Sequence, residues 1–376
     1  MVTLLHLDRL IKNQSINQSI NQSMKIVSSL LILLATSQFT LGQSQAKKID
    51  SIFQSIAKVN PDVVMSIGFV DNGNEYYFNY GNISRDSNIA VDENTLYEIG
   101  SVTKLLTGNL IAQAANEKKI NINDFIDNYL PKEYNLSTEI KGKIKISDLA
   151  SHQSGLPDFN FKDLMEANPK QPLDVDIEKV HELLNENTTL KDYGEYRYSN
   201  INFVIMGMIL EKVYRKNYDT ILREKILIPL KMNQTLTTDY KVKNKIVGYD
   251  LEGVEQEFLN WNSIVASAGL IKSNTTDMTK LLKALLSNKG RIAKATTITE
   301  QTYYKTEDRE MAFGQQIERN GTDSFFYKTG NTLACSAILA YDKNTNWGMI
   351  ILLNQSNSKL IAELINTSFE EVLLKK

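Results

Sequence analysis

A mixed α/β fold is what this sequence predicts, with one sheet assembled from both ends of the chain and a mainly helical region inserted between them. Three observations lead there. Apolar, β-rich runs bounded by turn residues occur early in the chain and return toward its C-terminus. Between them, from about Leu105 to Leu285, apolar residues recur at helical spacing behind capping-type polar residues. A chain of 376 residues that is 42% hydrophobic can also bury one large core or two smaller ones. Strand edges are satisfied by pairing, so the strands from the two ends are expected side by side. The expected division is a sheet domain of 43–104 plus 286–376, a helical region of 105–285, and a segment 1–42 outside the fold, together forming one unit.

Within 1–42, Met24-Lys25 followed by the apolar run Ile26 to Ala35 and by Thr40-Leu41-Gly42 reads as a secretory signal, cleaved before Gln43. The apolar run is short for a membrane span, so no stable span is expected and the mature protein is assigned to the periplasm or the exterior. An uncleaved segment 26–41 holding the protein at the membrane is the competing reading. Upstream, residues 13–23 repeat Asn, Gln, Ser and Ile in a low-complexity pattern, and Met24 reads as the true start.

The body then opens with a helix from Gln45 to Lys58. Two strands follow, Val63 to Val70 and Tyr76 to Tyr80, joined by the turn Asp71-Asn72-Gly73-Asn74. Glu98-Ile99-Gly100-Ser101-Val102-Thr103-Lys104 leads into an apolar run that reads as a buried helix. Further helices are expected over Asn202 to Val213 and Asp277 to Leu286, the latter capped within Ser273 to Thr275. Ser151-His152-Gln153-Ser154-Gly155-Leu156-Pro157 reads as a loop, with His152 a structural residue. Ser324 to Thr329, Ala334 to Tyr341 and Trp347 to Leu353 are the C-terminal strands, and a helix over about Leu360 to Leu374 closes the chain.

Inventory excludes several chemistries. A formal charge of −2 gives no basic excess for nucleic acid. The single Cys335 rules out a disulfide framework and a cysteine-based zinc site. HExxH, GxSxG and phosphate-loop patterns are absent.

Three short motifs carry chemistry. Ser101 and Lys104, three apart on a helix, share a face, where a desolvated lysine can take a proton from the serine hydroxyl. The Ser101 N–H, near the helix start, supplies half of an oxyanion hole. Tyr198-Ser199-Asn200 precedes the apolar helix, and a tyrosine beside two lysines has its phenolate favoured, which suits a general base. Lys328-Thr329-Gly330 ends a strand, its glycine letting substrate approach the backbone and the Asn331 N–H act as second oxyanion donor. Taken singly, each has an ordinary reading. SxxK also occurs at Ser55–Lys58 and YxN at Tyr77–Asn79. The order SxxK, YxN, KTG at domain-scale separation, each in its fitting helix, loop or strand, is what carries weight.

On these residues the chain resembles the serine β-lactamase and penicillin-binding-protein-like superfamily, in its class C β-lactamase and DD-peptidase branch. The likeness covers about residues 45–355 and includes Pro229-Leu230-Lys231-Met232 and Ala266-Ser267-Ala268-Gly269-Leu270. It implies an antiparallel sheet flanked by helices, with the site in a cleft beside the helical region. Ser101 would be the acylated nucleophile, and Lys104 and Tyr198 would share acid/base work. Asn200 would hold the substrate amide or Lys104. Lys328 and Thr329 would bind a substrate carboxylate, beside Gly330 and Asn331. No metal or other cofactor is implied; the expected partner is a small-molecule or peptide substrate bearing a carboxylate, and the oligomeric state is not readable. Leu333 and Cys335 stand where many relatives carry smaller residues, so a narrowed acyl-binding floor is expected. The activity implied is hydrolysis of a β-lactam or D-Ala peptide amide. An esterase or D-aminopeptidase of the same fold, or a non-catalytic binding domain, are the alternatives.

Overall fold

The computed structural model describes residues 45–238, 242–320 and 323–368. The expected signal 24–42, the repeat before it and the end of the last helix lie outside them. Residues from Asp50 onward cluster as one compact unit. Helix α1 covers residues 45–59.

An eight-stranded sheet is built from β1 (Met65–Asp71), β2 (Asn74–Tyr80) and the C-terminal strands β7 (Tyr304–Lys305), β8 (Glu310–Met311), β9 (Gln316–Asn320), β10 (Asp323–Asn331), β11 (Ser336–Asp342) and β12 (Trp347–Leu353). Their order is β2-β1-β12-β11-β10-β9-β8-β7. Every neighbour pair is antiparallel. The two ends of the chain meet where β1 pairs β12, from Met65 opposite Leu353 to Asp71 opposite Trp347. The β1–β2 turn has positive φ at Asn72 (49°) and Gly73 (83°), the backbone that matches the twist of a two-residue hairpin. Strands β1, β11 and β12 are buried at every residue, so both faces of the sheet centre are covered and the strands read as continuous apolar runs.

The remaining elements are β3 (Tyr97–Glu98), α2 (Thr103–Asn116), α3 (Ile146–Ala150), α4 (Phe161–Ala167), α5 (Ile177–Leu183), α6 (Ile201–Tyr214), α7 (Tyr218–Leu222), α8 (Ile228–Leu230), β4 (Gly248–Tyr249), β5 (Glu255–Gln256), α9 (Ala266–Gly269), β6 (Lys272–Ser273), α10 (Thr275–Leu286), α11 (Gly290–Thr299) and α12 (Ser358–Ser368). Helix α2 is buried from Thr103 through Ala114, the condition of a central core helix rather than a surface one. α10 buries Met278, Leu281, Leu282 and Leu285 along one stripe. Its N-terminus is capped by Asn274, whose side-chain oxygen accepts the Asp277 N–H at 2.9 Å. That stripe lies against β1 and β12. Among the described residues, no helix is long and apolar enough to cross a membrane.

Candidate active site

Ser101 lies in a 3₁₀ turn, Gly100–Val102, that runs directly into α2. The expected α-helical setting is therefore corrected. Gly100 has φ of +49°, outside the α region, so the helix cannot start before it. The 3₁₀ turn still brings residues three apart together. Lys104 Nζ lies 3.1 Å from Ser101 Oγ.

Lys104 is fully buried. Its Nζ donates to Asn200 Oδ1 at 2.8 Å and to the Ala268 carbonyl of α9 at 2.6 Å. Desolvation pulls its pKa from 10.5 down to about 7, against the opposing pull of the Asp158 carboxylate. An ammonium has three donors, and the three partners would use them all. In its neutral form the amine would keep two N–H bonds for Asn200 and Ala268 and present its lone pair to Ser101 Oγ.

Tyr198 approaches from the other side. Its hydroxyl lies 2.6 Å from Ser101 Oγ, and it is 39% exposed, open to the cleft. The Lys104 and Lys328 Nζ atoms each stand 5.1 Å from its ring centroid. Lys328 donates to the Thr329 carbonyl at 3.0 Å. Desolvation lowers the Lys328 pKa, with Lys104 adding to that and Tyr198 opposing it.

The motif Lys328-Thr329-Gly330 lies inside β10 rather than at its end. β11 keeps pairing as far as Asn331 opposite Ser336, whereas β9 stops pairing at Tyr327 opposite Gln316. From Lys328 to Asn331, β10 thus has no ladder to β9 and its edge faces the cleft. Gly330 is required there, because a Cβ on it would lie 2.1 Å from the Ile99 carbonyl and 2.8 Å from the Ser101 nitrogen. This contact seats the Ser101 turn directly on β10, beside Asn331.

All eight expected site residues come together around this point. Ser101, Tyr198, Asn200, Lys328, Thr329 and Asn331 line a cleft of about 490 Å³, with Lys104 and Gly330 forming the layer beneath. Phe159, Phe161, Leu173, Leu259 and Val265 add apolar wall, and Tyr196, Arg309 and Tyr327 add a polar aromatic part. The narrowed floor expected from Leu333 and Cys335 is not found: neither lines the cleft. Thr332 N–H donates to the Cys335 carbonyl at 2.9 Å and Cys335 N–H to Thr332 Oγ1 at 3.0 Å. That turn carries Cys335 into full burial and Leu333 against the core, leaving Asn331 and Thr332 at the cleft.

A family model described as Beta-lactamase matches residues 55–367. The chain belongs to that family. It is 25% identical over 339 residues to the protein flp of Staphylococcus aureus (strain NCTC 8325 / PS 47), covering 86% of this chain and 66% of that protein. The chain therefore spans a little under two thirds of that relative's length. It is 22% identical over 367 residues to a β-lactamase of Psychrobacter immobilis, with 88% of each covered. A β-lactamase/D-alanine carboxypeptidase structure from Pseudomonas syringae superposes with a TM-score of 0.76 at 17% identity, over 87% of this chain and 99% of that one. That likeness is one of fold.

Three contributors to this β-lactamase-family site lie outside the three chemical motifs and were given no role in the chemistry. His152, read as a loop residue, is buried with its ring centroid 4.6 Å from that of Tyr198. Its Nδ1 accepts the Ser199 N–H at 3.2 Å, which leaves Nε2 as the protonated nitrogen of a neutral ring. Desolvation, then Lys104 and Lys328, hold its pKa well below the usual histidine value. The carbonyls of His152, Gln153 and Gly155 accept from Arg197, Gly194 and Lys191, so this loop is the bed on which Tyr198 lies. Asp158 accepts the N–H groups of Asn200 at 2.7 Å and Ile201 at 2.9 Å, capping α6 from outside. Ala268 acts through its carbonyl alone, which no side-chain pattern announces. The decoy matches are ordinary: Ser55 bonds to its own helix at Ser51, and Tyr77 to Asn79 lie within β2.

Proposed function

We propose that this protein is a serine hydrolase working through an acyl-enzyme on Ser101, acting on the amide of a β-lactam or of a D-Ala peptide that bears a carboxylate. The observation that carries this is the buried lysine with its pKa near 7 at 3.1 Å from a serine hydroxyl, itself 2.6 Å from a tyrosine hydroxyl. At neutral pH a large fraction of Lys104 is the free amine, able to receive the Ser101 proton as Oγ attacks the substrate carbonyl. The developing oxyanion is held by the N–H groups of Ser101 and Asn331. Tyr198, in contact with Oγ, passes a proton to the leaving nitrogen, and the C–N bond breaks. Water then attacks the ester by the reverse use of the same groups, releasing the acid and restoring Ser101.

Substrate is held along the uncovered edge of β10, where its backbone-like amide adds as a short strand. Lys328 and Thr329 take its carboxylate, and the apolar wall from Phe159 to Val265 takes the acyl side chain. Export through the signal at 24–42 belongs to the same proposal, and places this activity outside the cytoplasm. The test is hydrolysis of a chromogenic cephalosporin and of a D-Ala-D-Ala peptide by the parent and by Ser101→Ala. Loss of turnover in the variant supports the reading; equal turnover refutes it. Turnover confined to neutral esters would move the assignment to an esterase on the same acyl-enzyme chemistry.

A further inference from the structure

Two buried charges lie behind Ser101 without joining its hydrogen bonds. Strands β3 and β6 are two residues each, pairing Tyr97 with Ser273 and Glu98 with Lys272. Directly opposed residues project to one face, and here the facing groups are a carboxylate and an ammonium. Lys272 Nζ is 3.5 Å from Glu98 Oε1, with the side chains 0% and 2% exposed. Glu98 Oε1 also accepts the Leu259 N–H at 2.7 Å. Lys272 Nζ donates to the carbonyls of Leu259 at 2.5 Å and Leu270 at 2.9 Å.

The pair therefore ties together three pieces of backbone that meet at the site. Glu98 enters the turn that presents Ser101. Lys272 leaves the segment whose Ala268 carbonyl holds Lys104. Leu259 is cleft wall. The ladder is short, extended only by the bond from the Ile99 N–H to the Ile271 carbonyl at 3.2 Å, so its few backbone bonds hold the two segments together weakly on their own. Nor does a buried ion pair serve stability better than apolar side chains of similar volume, since desolvation offsets the attraction. Desolvation indeed pushes the Glu98 carboxyl up and the Lys272 ammonium down, each partner opposing the shift in the other. Fixing register is the best-attested use of such a pair.

We propose that Glu98 and Lys272 are positioning residues that lock the Ser101 turn to the Ala268 segment, and so hold Lys104 in line with Ser101. The kinetic side of this rests on the acyl-enzyme reading above; the geometric side does not. The test is the double variant Glu98→Leu/Lys272→Met in the full chain, which replaces the charges without orphaning either one. It is expected to fold, with kcat for a chromogenic cephalosporin reduced on the order of 10–100-fold and KM little changed, the signature of a misplaced reacting group. Its crystal structure is expected to have Lys104 Nζ out of hydrogen-bond reach of the Ala268 carbonyl. Should it not fold, Glu98→Gln/Lys272→Met, which keeps an acceptor for Leu259 and leaves no unpaired charge, carries the same expectations. A folded variant that keeps both the parental kcat and the Lys104–Ala268 contact overturns the proposal. If the parent itself shows no turnover, the functional reading has failed, and the crystallographic comparison alone decides the role of the pair.

Discussion

Replacing Lys104 by methionine removes the proton-accepting amine while keeping a chain of similar shape, and its consequence for stability has a definite dependence on pH. In the folded protein Lys104 titrates near 7, whereas its ordinary value is 10.5. Between those two values the unfolded chain holds a proton that the folded chain has released, so the stability of the parent rises with pH across that window. Below it, both states are protonated and the burial of the ammonium weighs in full, about 5 kcal/mol for a shift of this size. Methionine escapes that penalty but leaves Asn200 Oδ1 and the Ala268 carbonyl short of a donor, at about 1–3 kcal/mol each. The two effects oppose each other, so the sign at a single pH is a poor test. The pH trend is a good one, because lost contacts do not titrate. From about pH 7 to about pH 9 the parent should gain roughly 2 kcal/mol relative to Lys104→Met. Urea unfolding of both proteins at a series of pH values reads this directly as diverging midpoints at constant m. Parallel stability curves across that range would refute the claim that burial holds Lys104 largely neutral.

Four further outcomes follow from the same geometry. The rate of serine acylation should rise with pH and level off above about 7, following deprotonation of Lys104; a stopped-flow pH profile with no limb between about pH 6 and 8 would remove the lysine from the proton transfer. Asp158 raises the Lys104 pKa, so Asp158→Asn should move that limb to lower pH; an unmoved or raised limb contradicts the assignment. His152→Ala should lower kcat about 10–100-fold through loss of the Tyr198 bed and stability by about 1–3 kcal/mol through the orphaned Ser199 N–H; kinetics and a melt measured together check both, and parental kcat would refute the role. Lys328→Ala should impair carboxylate-bearing substrates more than neutral esters, and equal losses in a paired assay would end its role in carboxylate recognition.

What the sequence disclosed depended on whether a feature resides in side chains with a strong local signal. Trp347–Leu353 and the Asp71–Asn74 hairpin turn were legible because a long apolar strand and an Asn-Gly turn admit few other structures. The gathering of the candidate-site residues was legible through motif order, although Gly100 places Ser101 in a 3₁₀ turn that helical spacing alone did not foresee. Strands β3, β6, β7 and β8, at two residues each, are too short to carry any periodicity. They form because longer neighbours and buried partners fix their backbone. β9 and α11 went unread for a related reason: Gln316–Asn320 is polar, and Gly290–Thr299 begins with glycine and is rich in threonine, a weak helix former. The backbone carbonyl of Ala268 and the remote cap from Asp158 leave no trace in residue type, since each acts through a contact between segments far apart in the chain.

The central claim is that Ser101 becomes acylated. The measurement that tests it most directly is the intact mass of the protein after mixing with a penicillin, beside Ser101→Ala treated in the same way. The expected result is a mass increase equal to the whole penicillin in the parent alone, mapped by peptide digestion to the segment containing Ser101, and decaying as water releases the product. An adduct that persists in Ser101→Ala, or that maps to another residue, would contradict the account.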